Sequence, residues 1–193
     1  MIIRKLFKFE NAHIVRGCSS IKCKQSLHGH SYKVELLFES NFLDKGQMVF
    51  DFGLMKQNMK ALVESFDHAI ALWNADDKEY VSDMKKHSAR WVELPVSPSA
   101  EQFSRVIFVM IDNLLKLTTT VNGEKEVSLH SVIVHETETG YAQGFKEDAY
   151  SKNMGRIDLD KIIFSDAVIN EWADSQLWEK IKKGAMFINP KEV

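Results

Sequence analysis

The sequence predicts an α+β fold, and three observations predict it. Tyr32, Val34, Leu36 and Phe38 alternate with polar residues, as in a strand with one buried face. Two stretches with apolar residues at helical spacing follow, near residues 51–66 and 99–114. Two more strand-like runs come after residue 126. Strands at both ends with helices between them place the helices on one face of an antiparallel sheet.

Each element has its own reason. Residues 2–10 form a first strand with Phe7 and Phe9 on one face, and residues 30–39 form the second. The first helix carries Phe52, Met55, Met59, Leu62, Val63 and Phe66, with Asp51 as its N-cap. The second starts at Ser99, where Gln102 completes a capping box ahead of Phe103, Val106, Ile107, Met110, Ile111 and Leu114. Residues 127–136 are apolar on both faces and read as a strand buried on both sides. Residues 141–147 form a short fourth strand, joined to the third through Thr139-Gly140. Residues 14–27, 74–99 and 120–125 read as loops. The main domain therefore spans 1–150, and 151–193 is a C-terminal extension. Within it Ser165 to Lys183 reads as one docked helix, with Val168, Ile169, Trp172, Trp178 and Ile181 facing inward and Gly184 as its stop.

Composition narrows the function classes. The 193 residues are 45% hydrophobic and 27% charged, the mix of a globular protein. The longest apolar run, Val106 to Ile111, is too short to cross a bilayer, and the N-terminal residues have no signal-peptide core. A net charge of −2 is no footprint for nucleic acid. Cys18 and Cys23 cannot form a disulfide framework and read as reduced thiols of a cytoplasmic protein.

The residues able to do chemistry gather around one motif. His28-Gly29-His30 is in phase with the buried face of the second strand, so both imidazoles point inward. Neutral imidazoles there need partners, either hydrogen bonds or a metal. If the first two strands are antiparallel, His13 reaches the same corner. Three neutral histidines with an open fourth position suit Zn²⁺, and Cys23 offers a further ligand. Lys22 and Lys24 flank Cys23 and favour its thiolate, a form able to take a proton, whereas Cys18 reads as an ordinary loop thiol. Asp67-His68 sets a carboxylate beside an imidazole. Glu136, closing the third strand, either accepts paired N–H donors from a guanidine-like ring edge or is a salt-bridged terminus. His87 and His130 have no evident partner. No His-Glu-x-x-His helix occurs, which removes the common zinc-hydrolase pattern.

Together these residues resemble the 6-pyruvoyltetrahydropterin synthase and 6-carboxytetrahydropterin synthase family. The resemblance runs through Phe9-Glu10-Asn11-Ala12-His13, Cys23 to Tyr32, Met48 to Lys56, Phe66-Asp67-His68, Ser97 to Glu101 and Val134 to Thr137, in the family's order over about residues 2–147. It implies a tunnelling (T-fold) unit of ββααββ order that self-associates, usually as trimers pairing to hexamers, with sites between subunits. It implies His13, His28 and His30 as zinc ligands, Cys23 as the catalytic thiolate and Asp67 with His68 as a proton relay from a neighbouring subunit. Glu136 would anchor a pterin ring, and Glu101 with Ser99 would add contacts to it. Ser99 and Ala100 depart from the family's commoner threonine and serine or threonine. The implied substrate is 7,8-dihydroneopterin triphosphate. The carboxy branch would release acetaldehyde and triphosphate on the route to queuosine; the pyruvoyl branch would keep the side chain. Four residues separate Cys23 from His28, between the usual spacings of the branches, and the Leu27-His28-Gly29-His30 context favours the carboxy branch. A non-catalytic zinc- or pterin-binding protein is the alternative from another class.

Overall fold

The computed structural model describes residues 1–188. Strand β1 (Ile2–His13) leads through a loop holding the short helix α1 (Ile21–Gln25) to β2 (His28–Glu39). A 3₁₀ turn at Phe52–Lys56 precedes α2 (Asn58–Glu64), β3 (Ala69–Trp73), α3 (Lys78–His87), β4 (Trp91–Leu94) and the long α4 (Ala100–Lys116). Then follow β5 (Thr118–Thr119), β6 (Ser128–His135), β7 (Tyr141–Phe145) and α5 (Lys146–Ala149). The extension adds β8 (Ile163–Phe164), α6 (Asp166–Ile169), α7 (Leu177–Lys182) and β9 (Phe187–Ile188).

The main sheet runs β7-β6-β2-β1-β3-β4-β8. Its antiparallel half, β7-β6-β2-β1, is the ββααββ unit expected from the sequence. Helix α4 packs on β6 and β7, and α2 packs on α4 and β1. Gly144 marks how closely α4 approaches: a Cβ there would sit 2.8 Å from Ser104 Oγ. An aromatic cluster fills the space under the end of β1. Phe9 lies 5.0 Å from Tyr32 and 5.6 Å from Phe66 between ring centroids, and Phe103 lies 5.3 Å from Tyr32 and 5.4 Å from Phe66.

Five local expectations are corrected. Residues 74–99 are not one loop: β3 pairs parallel with β1 and β4, and α3 lies between β3 and β4. Helix α3 fully buries none of its residues, and its apolar stripe is short, with Tyr80, Val81 and Met84 only half-buried. The third strand is not buried on both sides. A register shift at His130 puts Leu129 opposite Phe38 and Ser131 opposite Leu37, so Leu129, Val132 and Val134 are buried while Ile133 is half-buried. The first helix breaks at Gln57, and Phe52 is exposed. Asp51 accepts from Gly53 N at 2.7 Å as a cap, but the Gln57 backbone leaves the helical region (φ −106°, ψ −109°) and divides the 3₁₀ turn from α2. Ser99 Oγ caps Gln102 N at 3.4 Å, yet the Gln102 side chain turns instead to Arg105 and the Met154 carbonyl, so the box is half made. The helix read over 165–183 is split, because Asn170, Asp174 and Ser175 form turns and Asp174 Oδ1 accepts from Gln176 N.

The extension shares the main core. Val168, Trp172, Leu177, Trp178 and Ile181 are buried, Trp172 donates to Ser65 Oγ at 3.1 Å, and Gly184 follows α7 with φ 69°. Its entry is gripped by Arg105 of α4, whose guanidinium donates to the carbonyls of Asp148, Ala149, Ser151, Met154 and Gly155. Among the described residues no helix is long and apolar enough to cross a membrane.

Truncating the central aromatic of the core should be costly. Phe103→Ala is expected to lower the unfolding free energy by about 3–5 kcal/mol, checked by urea denaturation of the full chain. A change below about 1 kcal/mol would show that the cluster repacks.

Candidate active site

The three imidazoles meet because of register. β1 and β2 pair residue for residue, His13 opposite His28 and Asn11 opposite His30. Inward-facing positions on β1 run Phe7, Phe9, Asn11 and His13; on β2 they run His28, His30 and Tyr32. One ligand nitrogen from each of His13, His28 and His30 lies within 4.8 Å of the others. Gly29 keeps the two backbones close, since a Cβ there would stand 3.1 Å from the Asn11 carbonyl oxygen.

The surroundings fit a divalent ion. His13 Nδ1 lies 2.5 Å from the Pro98 carbonyl and His28 Nδ1 2.9 Å from the Ser26 carbonyl. A carbonyl only accepts, so each Nδ1 carries the proton and leaves Nε2 free as a ligand. Burial holds the His13 imidazole below its ordinary pKa; the Pro98 carbonyl and Glu136 oppose this and the neighbouring histidines add to it. His13 is thus neutral at pH 7, the form a metal needs. Tyr32 donates to Glu136 Oε1 at 3.2 Å. Burial and the Glu136 carboxylate push its phenol far upward, so it stays a donor. Glu136 Oε1 is 3.8 Å from His13 Nε2 and 3.9 Å from His30 Nε2.

Beside the imidazoles opens a cavity of about 760 Å³, lined by Cys23, His28, His30, Ser99, Glu101 and Glu136 among others. Six of the nine residues singled out from the sequence therefore share one wall, and buried His13 sits behind it. Lys22 and Cys18 also reach this cavity. The Cys23 loop is anchored by Arg16. Its Nε donates to both Asp76 carboxylate oxygens at 3.0 Å, and its Nη1 donates to the Lys24 carbonyl at 3.2 Å.

Asp67 and His68 do not join this group within one chain. His68 lines a shallow depression with the outward residues Glu10, Ala12, Gly29 and Ser31 of β1 and β2, and Asn11 and His30 also reach it. Asp67 Oδ2 is 3.0 Å from His68 Nδ1, and Asp67 Oδ1 accepts the Glu10 N–H at 2.8 Å. Burial alone would raise the Asp67 pKa, but the Glu10 N–H, His68 and Arg90 together hold it below the usual aspartate range. His68 adopts φ 51°, a left-handed conformation uncommon outside glycine. Its backbone N–H donates to the Glu10 carbonyl at 2.7 Å, which fixes that turn.

Tyr32, Arg16 and the Pro98 and Ser26 carbonyls were missed from the sequence as site residues. Tyr32 had a signal, being in phase with the histidines, but read as core. The carbonyls carry no side-chain signal at all.

Comparison with known proteins decides the family. A sequence model described as 6-pyruvoyl tetrahydropterin synthase matches residues 2–147. The chain belongs to the 6-pyruvoyl tetrahydropterin synthase family. It is 38% identical over 182 residues to the 6-carboxy-5,6,7,8-tetrahydropterin synthase of Helicobacter pylori, covering 94% of this chain and 91% of that one. It is 31% identical over 163 residues to the enzyme of the same name from Aquifex aeolicus, covering 76% and 98%. The family segment stops at 147, while the Helicobacter match reaches well into the extension. In fold, the chain resembles an uncharacterized protein from Wolinella succinogenes (TM-score 0.61, 20% identity, 76% and 98% covered). It also resembles the Plasmodium vivax 6-pyruvoyltetrahydropterin synthase (TM-score 0.53, 19% identity, 75% and 97% covered).

Removing one ring should empty the centre. His13→Ala and His30→Ala are each expected to weaken divalent-ion binding by more than the roughly 10–100-fold that loss of an outer-shell partner costs, read by chelator competition. Affinity equal to the parent's would assign the rings to packing alone.

Proposed function

We propose that this chain is a zinc-dependent lyase. It converts 7,8-dihydroneopterin triphosphate and water to 6-carboxy-5,6,7,8-tetrahydropterin, acetaldehyde and triphosphate, on the route to queuosine. The observation that carries the reading is the convergence of His13, His28 and His30 beside a cavity that also takes Cys23 and Glu136. That convergence occurs in a chain 38% identical to a 6-carboxy-5,6,7,8-tetrahydropterin synthase over nearly its whole length.

The roles follow from the chemistry of each group. His13, His28 and His30 would hold the ion, which when bound would supply Lewis acidity toward the hydroxyls of the substrate's side chain. Glu136, oriented by the Tyr32 hydroxyl, accepts paired N–H donors from the pterin ring edge. Glu101 and Ser99 line the same wall and add ring contacts; the Ser99 hydroxyl also caps α4. Cys23 takes a proton from the side-chain carbon that faces it. His68, with Asp67 holding its Nδ1, handles the proton on the other side. Because His68 lies on the outward side of the strands in its own chain, it serves the cavity of a second copy. This reading supports self-association, with trimers pairing to hexamers. The unpaired thiols of Cys18 and Cys23 suit a reducing cytoplasm.

Incubation with dihydroneopterin triphosphate tests the reaction. Mass analysis is expected to give the 6-carboxy product with acetaldehyde. A 6-pyruvoyl product would move the chain to the sibling branch, and an unchanged pterin would remove the lyase reading altogether.

Sharing of the site between copies has a separate test. Cys23→Ala and His68→Ala are each expected to keep fold and metal but lose turnover by at least roughly 100-fold. Mixed assemblies refolded from the two inactive variants should regain part of the activity, since some cavities would combine an intact Cys23 with an intact His68. Mixtures that stay inactive would place the relay outside the reaction.

A further inference from the structure

Asp67 and His68 stand at the end of a line of contacts that starts in the C-terminal extension. Arg90 enters β4, and its backbone carbonyl accepts the Ile70 N–H at 3.1 Å. Its side chain donates from Nε to the Asp67 carbonyl at 2.8 Å and from Nη2 to the Glu64 carbonyl at 3.4 Å. One residue thus brackets the turn at His68 from both sides. Nη1 meets Glu171 Oε1 at 2.5 Å as an ion pair lying off the hydrogen-bond direction. Glu171 is carried beside Trp172, whose indole N–H is fixed to Ser65 at the end of α2.

The bracket acts where the backbone is strained. His68 at φ 51° persists only if its neighbours over-determine it, and Arg90 supplies two of those constraints. The two ends of the Arg90–Glu171 pair differ in exposure: the Arg90 side chain is 17% exposed and that of Glu171 67%. An exposed carboxylate adds little to stability, so its effect is on where the guanidinium points.

We propose that Arg90, oriented by Glu171 of the extension, is a positioning residue for the Asp67–His68 pair. The proposal rests on the reading that His68 moves a proton in a neighbouring copy's cavity. It also gives the extension a part in turnover, although none of its residues lines that cavity among the described residues. A displacement of about 1 Å in a reacting group can cost about 100-fold in rate, so a loosened turn at His68 lowers kcat before it affects substrate binding.

The test uses the full-length, metal-loaded assembly. Variants are Arg90→Gln, Arg90→Lys, Glu171→Gln and, as a control for general loosening of the extension, Trp178→Phe, whose indole N–H is held by the Ile162 carbonyl away from this line of contacts. Hydrogen exchange of the Asp67–Ile70 amides is measured without substrate, and kcat and KM are measured with dihydroneopterin triphosphate. Arg90→Gln is expected to speed that exchange about tenfold and lower kcat about tenfold with KM within about twofold. Arg90→Lys should recover part of both, and Glu171→Gln should move both less in the same direction. Trp178→Phe should lower Tm and leave kcat in place. Unchanged exchange in Arg90→Gln overturns the proposal, as does a kcat loss in Trp178→Phe equal to that in Arg90→Gln. Full activity of His68→Ala removes the relay reading instead, and the exchange measurement, which needs no substrate, separates that failure from failure of the Arg90 bracket.

Discussion

Everything at the site depends on how β1 is registered against β2. A strand's side chains alternate faces, so a slip of one residue would turn a whole strand over and send His28 and His30 to the outer face. What prevents the slip lies far from the imidazoles. Phe7, Phe9, Tyr32, Val34, Leu36 and Phe38 all fall on the inner face in the observed pairing and are all buried there. The three-histidine corner is therefore the last stretch of a ladder whose alignment is decided by apolar burial along its length. Histidine adds the chemistry, and phenylalanine and its neighbours decide where it stands.

The same two strands hold two chemically different environments. On the inner face His13 is fully buried, and desolvation keeps it neutral. The phenol of Tyr32 is kept protonated there by the same cause. On the outward face Asp67 is partly exposed and anionic, because a backbone N–H, an imidazole and a guanidinium outweigh its burial. A neutral buried imidazole thus lies on one side of a single layer of backbone, and an ionised carboxylate on the other. The difference comes from solvent access and neighbours.

The fold was legible where a residue's side chain declares its environment. The period-two run from His28 to Phe38 gave both the strand and the direction of the imidazoles, and the stripe from Phe103 to Leu114 gave α4. Reading failed where an element has no such mark. Helix α3, with Lys78, Glu79, Asp83, Lys85 and Lys86, fully buries none of its residues, so only Asp77 as its cap and the short run of Tyr80, Val81 and Met84 mark it. β4 is four residues long, too short for a periodicity argument. The bulge at His130 made one strand look apolar on both faces because it changes phase midway. At the site, His13, His28, His30, Cys23, Glu101, Ser99 and Glu136 were legible as residue types in motifs. Arg16 and Arg90 were not, because their partners lie far away in sequence, and backbone carbonyls from Pro98 and Ser26 leave no trace in composition.

Arg105 has a consequence for anyone trimming this protein to its family portion. The recognisable family segment ends at residue 147, yet the guanidinium in the middle of α4 is solvated almost wholly by main-chain oxygens from 148 to 155. A shortened chain ending at that border would leave the buried cation with the Gln102 side chain and water in place of those carbonyls. The appendage is in this sense a counter-shell for a charge the family segment contains, and the border at residue 147 cuts through a single solvation sphere.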